Sequence, residues 1–253
     1  LIVIAQETTV YGVDLYGEKR LSKLLHELCK IDGIEWVRLL YCYPEEITEE
    51  LVQTIKTEKK ICHYLDLPIQ HCNDDILKRM GRKTTQADLR EKISMLRKEI
   101  PDIALRTTLI SGFPGETNEN HEECVDFVAN MKFERLGVFP YTPEEGTPAA
   151  GYDRQVPEEI KQEWADEIMQ TEQNVIFAQN EEMIGRRLSV IVDGYLPEDG
   201  VYVGRTYRDA PEIDGCLFFE APYEIISGTI LPVLVTDANG YDLIGEILPE
   251  EDD

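Results

Sequence analysis

Apolar spacing divides the chain into two textures. Through residues 1–141, short apolar or β-branched runs alternate with stretches whose apolar positions recur on one helical face. The runs at 1–5, 36–41, 61–67, 104–111 and 135–141 suit strands of a sheet covered on both faces. Between them, Leu21, Leu24, Leu25 and Leu28 mark one helix, Ile47, Leu51 and Ile55 a second, and Val125, Val128 and Met131 another. Leu89, Ile93, Leu96 and Ile100 share one face of a further helix, and Thr85 with Asp88 predicts a capping box at its start. Such alternation implies right-handed crossovers and a parallel sheet, either doubly wound or curved into a full or partial barrel. The chain opens in the middle of a buried-strand pattern, so one or more preceding units are expected.

Residues 156–182 read as one long helix, with Pro157 suited to its first position and Ile160, Trp164, Ile168 and Val175 along one stripe. From Met183 onward the pattern changes to short β-type runs at 188–192, 202–206, 217–219, 230–235 and 243–248, broken by Gly, Pro, Asp and Asn. Five short strands without a helical period predict a small all-β, OB-like barrel. The expected organisation is therefore an α/β unit over 1–155, a bridging helix over 156–182 and a β-barrel over 183–253.

Charge alters the picture most. The chain carries 25 Lys plus Arg against 50 Asp plus Glu, a formal net charge of −25. The segment from Met183 has four arginines, no lysine and fifteen acidic residues, hence −11. A polyanion meets long-range repulsion from such a surface, so a basic protein is the expected partner and direct nucleic-acid binding is not. No apolar run approaches the roughly 20 residues that a membrane helix needs, so no membrane partner is expected. Six cysteines (Cys29, Cys42, Cys62, Cys72, Cys124 and Cys216) are scattered without close pairing in sequence, which points to reduced thiols and a cytoplasmic location.

Candidate chemistry gathers where strands end. Thr108-Leu-Ile-Ser-Gly112-Phe-Pro-Gly-Glu116-Thr117 runs from a strand through a glycine turn into a helix, a place where backbone can approach a ligand. Asp66-Leu-Pro-Ile-Gln70-His71-Cys72 puts polar side chains just past another strand, and Ala5-Gln6-Glu7-Thr8-Thr9 does so past the first.

These stretches, with Tyr11-Gly12, Trp-Val-Arg-Leu-Leu-Tyr at 36–41, Leu-Pro-Ile-Gln-His at 67–71, Gly-Phe-Pro-Gly-Glu-Thr at 112–117 and Tyr-Thr-Pro-Glu-Glu-Gly-Thr-Pro-Ala at 141–149, resemble the radical-SAM methylthiotransferases. Gly-Arg-Thr at 204–206 and Asp-Ala-Pro-Glu-Ile-Asp-Gly at 209–215 resemble the TRAM domain of the branch that modifies a ribosomal protein. The resemblance implies a partial (β/α) barrel with parallel strands plus an OB-like TRAM domain, together the C-terminal two-thirds of such an enzyme. It implies S-adenosylmethionine and 4Fe–4S clusters as cofactors, with a methylthio group installed on an aspartate of a small-subunit ribosomal protein.

By matching motifs, Gln6 and Glu7 resemble a pair near the methionine amino group, and Gln70 and Arg106 resemble polar groups of the pocket. Gly112 and Glu116 correspond to the turn near the adenosine, and Tyr141 to an adenine contact. Glu116 as a charge in a helix's first turn and Tyr141 as core are the competing structural readings. The family's CxxxCxxC cluster motif has no counterpart here: Cys62 and Cys72 are ten apart, and Cys42 is twenty from Cys62. Three rivals stay open: a tRNA-adenosine methylthiotransferase, which the acidic tail disfavours, a non-catalytic acidic adaptor, and a barrel lyase or isomerase, for which no strand end offers an obvious acid–base set.

Overall fold

The computed structural model describes residues 1–248. Five parallel strands, β1 (Ile2–Val3), β2 (Val37–Leu39), β3 (Ile61–Asp66), β4 (Ala104–Ser111) and β5 (Arg135–Pro140), lie side by side in chain order. Each step from strand to neighbouring strand runs through helical crossovers: α1 (Val13–Tyr16) and α2 (Leu21–Cys29), then α3 (Glu49–Thr57), then α4 (Asp74–Arg79) and α5 (Gln86–Glu99), then α6 (Asn118–Met131). Consecutive order without a reversal is the arrangement of a barrel wall, not of a doubly wound sheet.

One sheet face packs on the helices. Leu39, Leu65, Leu105 and Leu109 meet Leu25, Ile55, Leu96 and Phe127 in one core, all almost fully buried. Each such leucine contributes roughly 2 kcal/mol by leaving water. Along β4 the alternate residues Arg106, Thr108 and Ile110 are only half-buried, so the opposite face of that strand is more polar and more open. The capping box read from Thr85 and Asp88 is present at α5, and α6 carries another, Thr117 with Asn120.

Helix α7 (Glu158–Glu181) is continuous, yet the chain's two compact units divide within it, at Glu172 and Gln173. Its buried positions are Lys161, Trp164, Ala165, Ile168, Glu172, Ile176 and Asn180. The stripe thus holds three polar residues that apolar periodicity passes over.

In the second unit β6 (Arg187–Leu196), β7 (Val201–Arg205), β8 (Leu217–Glu220), β9 (Ile230–Asn239) and β10 (Asp242–Ile247) close into a barrel in the order β10-β8-β7-β6-β9. Val190, Leu217, Phe219, Val233 and Val235 fill it. Glycine is required at two tight approaches: a Cβ on Gly204 would lie 2.6 Å from the Ile191 carbonyl oxygen, and one on Gly245 2.6 Å from that of Leu234. The first strand is shorter than its apolar run, and α1 and α4 have no counterpart among the expected elements. Each spans less than two turns, too short for a periodic signal.

Candidate functional site

All five strands of the sheet are parallel, so residues just past their C-terminal ends lie along one edge. At β1, Glu7 is anchored by its own loop: Thr9 N–H donates to Oε1 at 2.8 Å, the Thr9 hydroxyl hydrogen-bonds to the same oxygen, and Tyr43 N–H, past β2, approaches it at 3.4 Å. Its other oxygen, Oε2, is buried with no hydrogen-bond partner. Burial raises the Glu7 pKa, with Glu45 and Glu46 adding to the rise and the amides of Thr9 and Tyr43 opposing it.

Past β2 and β3 the backbone itself is bent. Tyr41 and Gln70 adopt left-handed φ values of 56° and 69°, a conformation that costs a non-glycine residue about 1–2 kcal/mol. At Gln70 the turn lets the N–H donate to Thr108 O and the carbonyl accept from Ile110 N–H, at 2.9 and 2.8 Å, which extends the sheet beyond β3. Tyr41 N–H donates to Asp66 Oδ2 at 3.1 Å, and Arg106 Nη1 donates to Asp66 Oδ1 at 2.9 Å.

Past β4, Gly112 turns with φ of 70°, and a Cβ there would sit 2.2 Å from Lys161 Cγ. The Ser111 hydroxyl donates to Lys161 O at 2.8 Å, and Lys161 Nζ donates to the Tyr141 carbonyl at 2.8 Å. Lys161 therefore joins the ends of β4 and β5 from α7. On the other side of the turn, Arg79 Nε donates to Pro114 O at 2.9 Å. Glu116 is buried beneath the turn, where Oε2 accepts from Phe113 N–H at 3.0 Å. Its Oε1 lies 3.2 Å from His71 Nε2 but out of line, so this oxygen too has no hydrogen-bond partner. Tyr141 packs edge-on against Phe113 with ring centroids 5.1 Å apart, and its hydroxyl is buried and unpartnered.

Residues 3–128 match the Radical SAM superfamily, and residues 184–248 match the TRAM domain. The chain is 58% identical over 245 residues to "Ribosomal protein uS12 methylthiotransferase RimO" of Lachnoclostridium phytofermentans, covering 97% of this chain and 56% of that protein. It is 49% identical over 250 residues to the protein of the same name from Clostridium botulinum strain Hall, covering 99% and 56%. Over nearly all of its own length the chain is similar to RimO. It spans 56% of the length of these relatives. Among solved structures, HemN of Escherichia coli, described as a radical SAM enzyme, aligns with TM-score 0.48 and 21% identity over 66% of this chain and 38% of its own.

The site residues named from sequence fall into two groups. Glu7 and Arg106 are joined through the segments past β2 and the Asp66 carboxylate, and Gln70, Gly112, Glu116 and Tyr141 surround the glycine turn. Gln6 is exposed beside Glu7. Glu116 precedes the N-cap Thr117 of α6 and braces the turn, so it is not a first-turn charge. A cavity of about 790 Å³, lined by Arg187, Tyr223, Ile226 and Pro232 among others, belongs to the β-barrel and includes none of these residues.

Sequence reading missed Lys161, because a lysine beside Ile160 and Trp164 looks like the wet border of an amphipathic helix. Its position four residues before Ala165 and seven before Ile168 is the available signal. It also treated the cysteines as scattered, whereas Cys72 and Cys124 meet with their sulfurs 3.1 Å apart. Together with His71 they form a buried group whose donor atoms lie within 4.8 Å of one another.

A metal fits this trio poorly. Two thiolates on one tetrahedral zinc stand about 3.8 Å apart, given bonds of about 2.3 Å. The lone pair of His71 Nδ1 already accepts the Asn73 N–H at 2.9 Å, and Cys124 Sγ lies 3.6 Å from both ring nitrogens, in line with neither. The hydrogen bond from Cys72 holds the Cys124 thiol low, at about 5, against its burial and with help from His71. Cys72, as the donor and buried, is pushed far up. Burial lowers the His71 pKa, but Cys124 and Glu116 outweigh it and raise it to about 10. Protonating Nδ1 would oppose it to the Asn73 N–H, so the bond to Asn73 favours the neutral ring.

Proposed function

We propose that this chain supplies the S-adenosylmethionine-receiving edge and the TRAM barrel of a methylthiotransferase that modifies an aspartate of ribosomal protein uS12. The observation that carries this reading is a set of buried oxygens without hydrogen-bond partners at the ends of parallel strands, Glu7 Oε2 and the Tyr141 hydroxyl, together with Glu116 Oε1, which faces His71 Nε2 at 3.2 Å but makes no hydrogen bond. Buried polar atoms are seldom left unsatisfied except where a ligand completes them. S-adenosylmethionine offers an ammonium group, ribose hydroxyls and an adenine amine, which match two carboxylates and a phenol. Glu7, beside Gln6, would receive the ammonium group. The turn from Gly112 to Glu116 would receive the ribose and Tyr141 the adenine, while Gln70 and Arg106 complete the polar wall. Bound with a reduced 4Fe–4S cluster, S-adenosylmethionine supplies radical chemistry and the transferred methyl group.

The cysteines of this chain do not fit that cluster, which needs three or four converging thiolates. Among the described residues, the group of metal-capable side chains that holds Cys72 and Cys124 is completed by His71, so it offers two sulfurs and not three, and both sulfurs are buried in the core. The cluster ligands therefore belong to sequence outside these 253 residues. The charge of −25 favours a lysine- and arginine-rich protein substrate over tRNA, in the cytoplasm where ribosomes and reduced thiols coexist.

The test uses the full-length protein with reconstituted clusters, S-adenosylmethionine, a reductant, a sulfur source and uS12. A methylthio mass increment on one aspartate is expected. Glu7→Gln and Tyr141→Phe should each raise KM for S-adenosylmethionine at least ~10-fold, the scale of a lost hydrogen bond to a charged or buried group. A modified tRNA adenosine with unmodified uS12 would overturn the substrate, and unchanged KM in both variants would overturn the site.

A further inference from the structure

Cys72 and Cys124 stand 52 residues apart in sequence, in different elements and different sequence motifs, yet their sulfurs are 3.1 Å apart. A disulfide is about 2.05 Å long, so the pair lies roughly an ångström from bonding. The segments that carry the sulfurs are fixed by their neighbours. Glu123, adjacent to Cys124 on α6, accepts from Asn73 Nδ2 and from Gln86 Nε2, each at 2.6 Å. Asn73 in turn caps α4 through its Oδ1. A packed core holding two small apolar residues would not need this bracing. The polar environment is also specific: the His71 ring nitrogens lie 3.6 Å from Cys124 Sγ, and one thiol proton is placed to bridge the two sulfurs.

We infer that Cys72 and Cys124 are a redox-active dithiol that closes to a reversible disulfide with peroxide as oxidant, Cys124 attacking and Cys72 resolving. In the first step the Cys124 thiolate attacks one peroxide oxygen. An S–O bond forms, the O–O bond breaks, and the departing hydroxide takes up a proton to leave as water. In the second step the Cys72 sulfur attacks the Cys124 sulfenic acid. The S–S bond forms, the S–O bond breaks, and a second water leaves with the Cys72 proton. Two thiols are oxidised and one peroxide is reduced to two waters. The thiolate required for the first step is favoured by the Cys72 S–H, whose sulfur lies 3.1 Å from that of Cys124. Both sulfurs are buried, which admits a small peroxide through local opening and disfavours bulky disulfides such as glutathione. The bond would tie the loop bearing Gln70 and His71 to α6. This inference stands apart from the cofactor reading, since the dithiol chemistry needs no cluster and no S-adenosylmethionine.

The experiment treats the purified chain with graded hydrogen peroxide, alkylates remaining thiols after denaturation, and maps peptides by mass. The expected result is one cross-linked pair joining Cys72 to Cys124, two hydrogens lighter and reversed by dithiothreitol. It should form at least ~10-fold faster than any oxidation of the partly exposed Cys29 or Cys216. In Cys72→Ser, which keeps a donor to Cys124 but cannot form the disulfide, Cys124 should be trapped as a sulfenic acid by dimedone, whereas Cys124→Ala should give no product at Cys72. If either variant fails to fold, the peptide map of the unaltered chain still decides. Oxidation of Cys29 or Cys216 first, with Cys72 and Cys124 still alkylated, would overturn the inference. So would stoichiometric zinc protecting both thiols.

Discussion

At the scale of single residues, the glycine turn shows how steric exclusion and a charged side chain define one conformation. Gly112 is left-handed, and the Lys161 side chain fills the volume where a Cβ would project. Gly112→Ala therefore adds backbone strain of about 1–2 kcal/mol to a clash, and a total loss of about 2–4 kcal/mol is expected in denaturant unfolding. Combining it with Lys161→Gly, which removes both Cγ and Cβ, should relieve the clash but not the strain, giving a coupling energy of about 1 kcal/mol or more in the double-mutant cycle. Additive losses would mean that the two side chains do not share that space. The turn was legible from its glycines and its place after a strand. Lys161 was not, because its amine reaches a carbonyl twenty residues away in sequence, and periodicity carries no such information.

At the scale of elements, helices of two turns or more with a continuous apolar face could be read from spacing, and so could strands flanked by turn residues. Short α1 and α4 could not, nor could the pairing of Cys72 with Cys124, which depends on how two crossovers pack against the same strand. The capping boxes show a finer limit. Thr85 with Asp88 was visible because an acid at the third position is a familiar pattern, whereas at α6 Asn120 fills that role and hides the motif. Thr117 accepts from Asn120 N–H through its hydroxyl and ends the glycine turn. Thr117→Ala should cost about 1 kcal/mol in unfolding free energy. A loss of a few tenths or less would place that stability in the buried face of α6, through Phe127 and Val128.

At the scale of the whole molecule, charge separates partners more sharply than fold does. With a net −25, the chain should bind a lysine-rich uS12 peptide at low salt and lose that binding as salt shortens the Debye length below about 10 Å. It should leave tRNA unbound across the same titration, followed by fluorescence anisotropy. Tight tRNA binding with a steep salt slope would reverse this assignment. The division of the chain at Glu172 and Gln173 bears on how such a protein can be taken apart. Most neighbouring units part at an exposed loop, where proteases nick and recombination splices without harm. Here the seam runs through α7, and severing it would strand carbonyls and amides on both sides of the cut. Grafting the small barrel onto another α/β unit would therefore mean transplanting the helix with it, so this architecture resists modular exchange along the chain at Glu172 and Gln173.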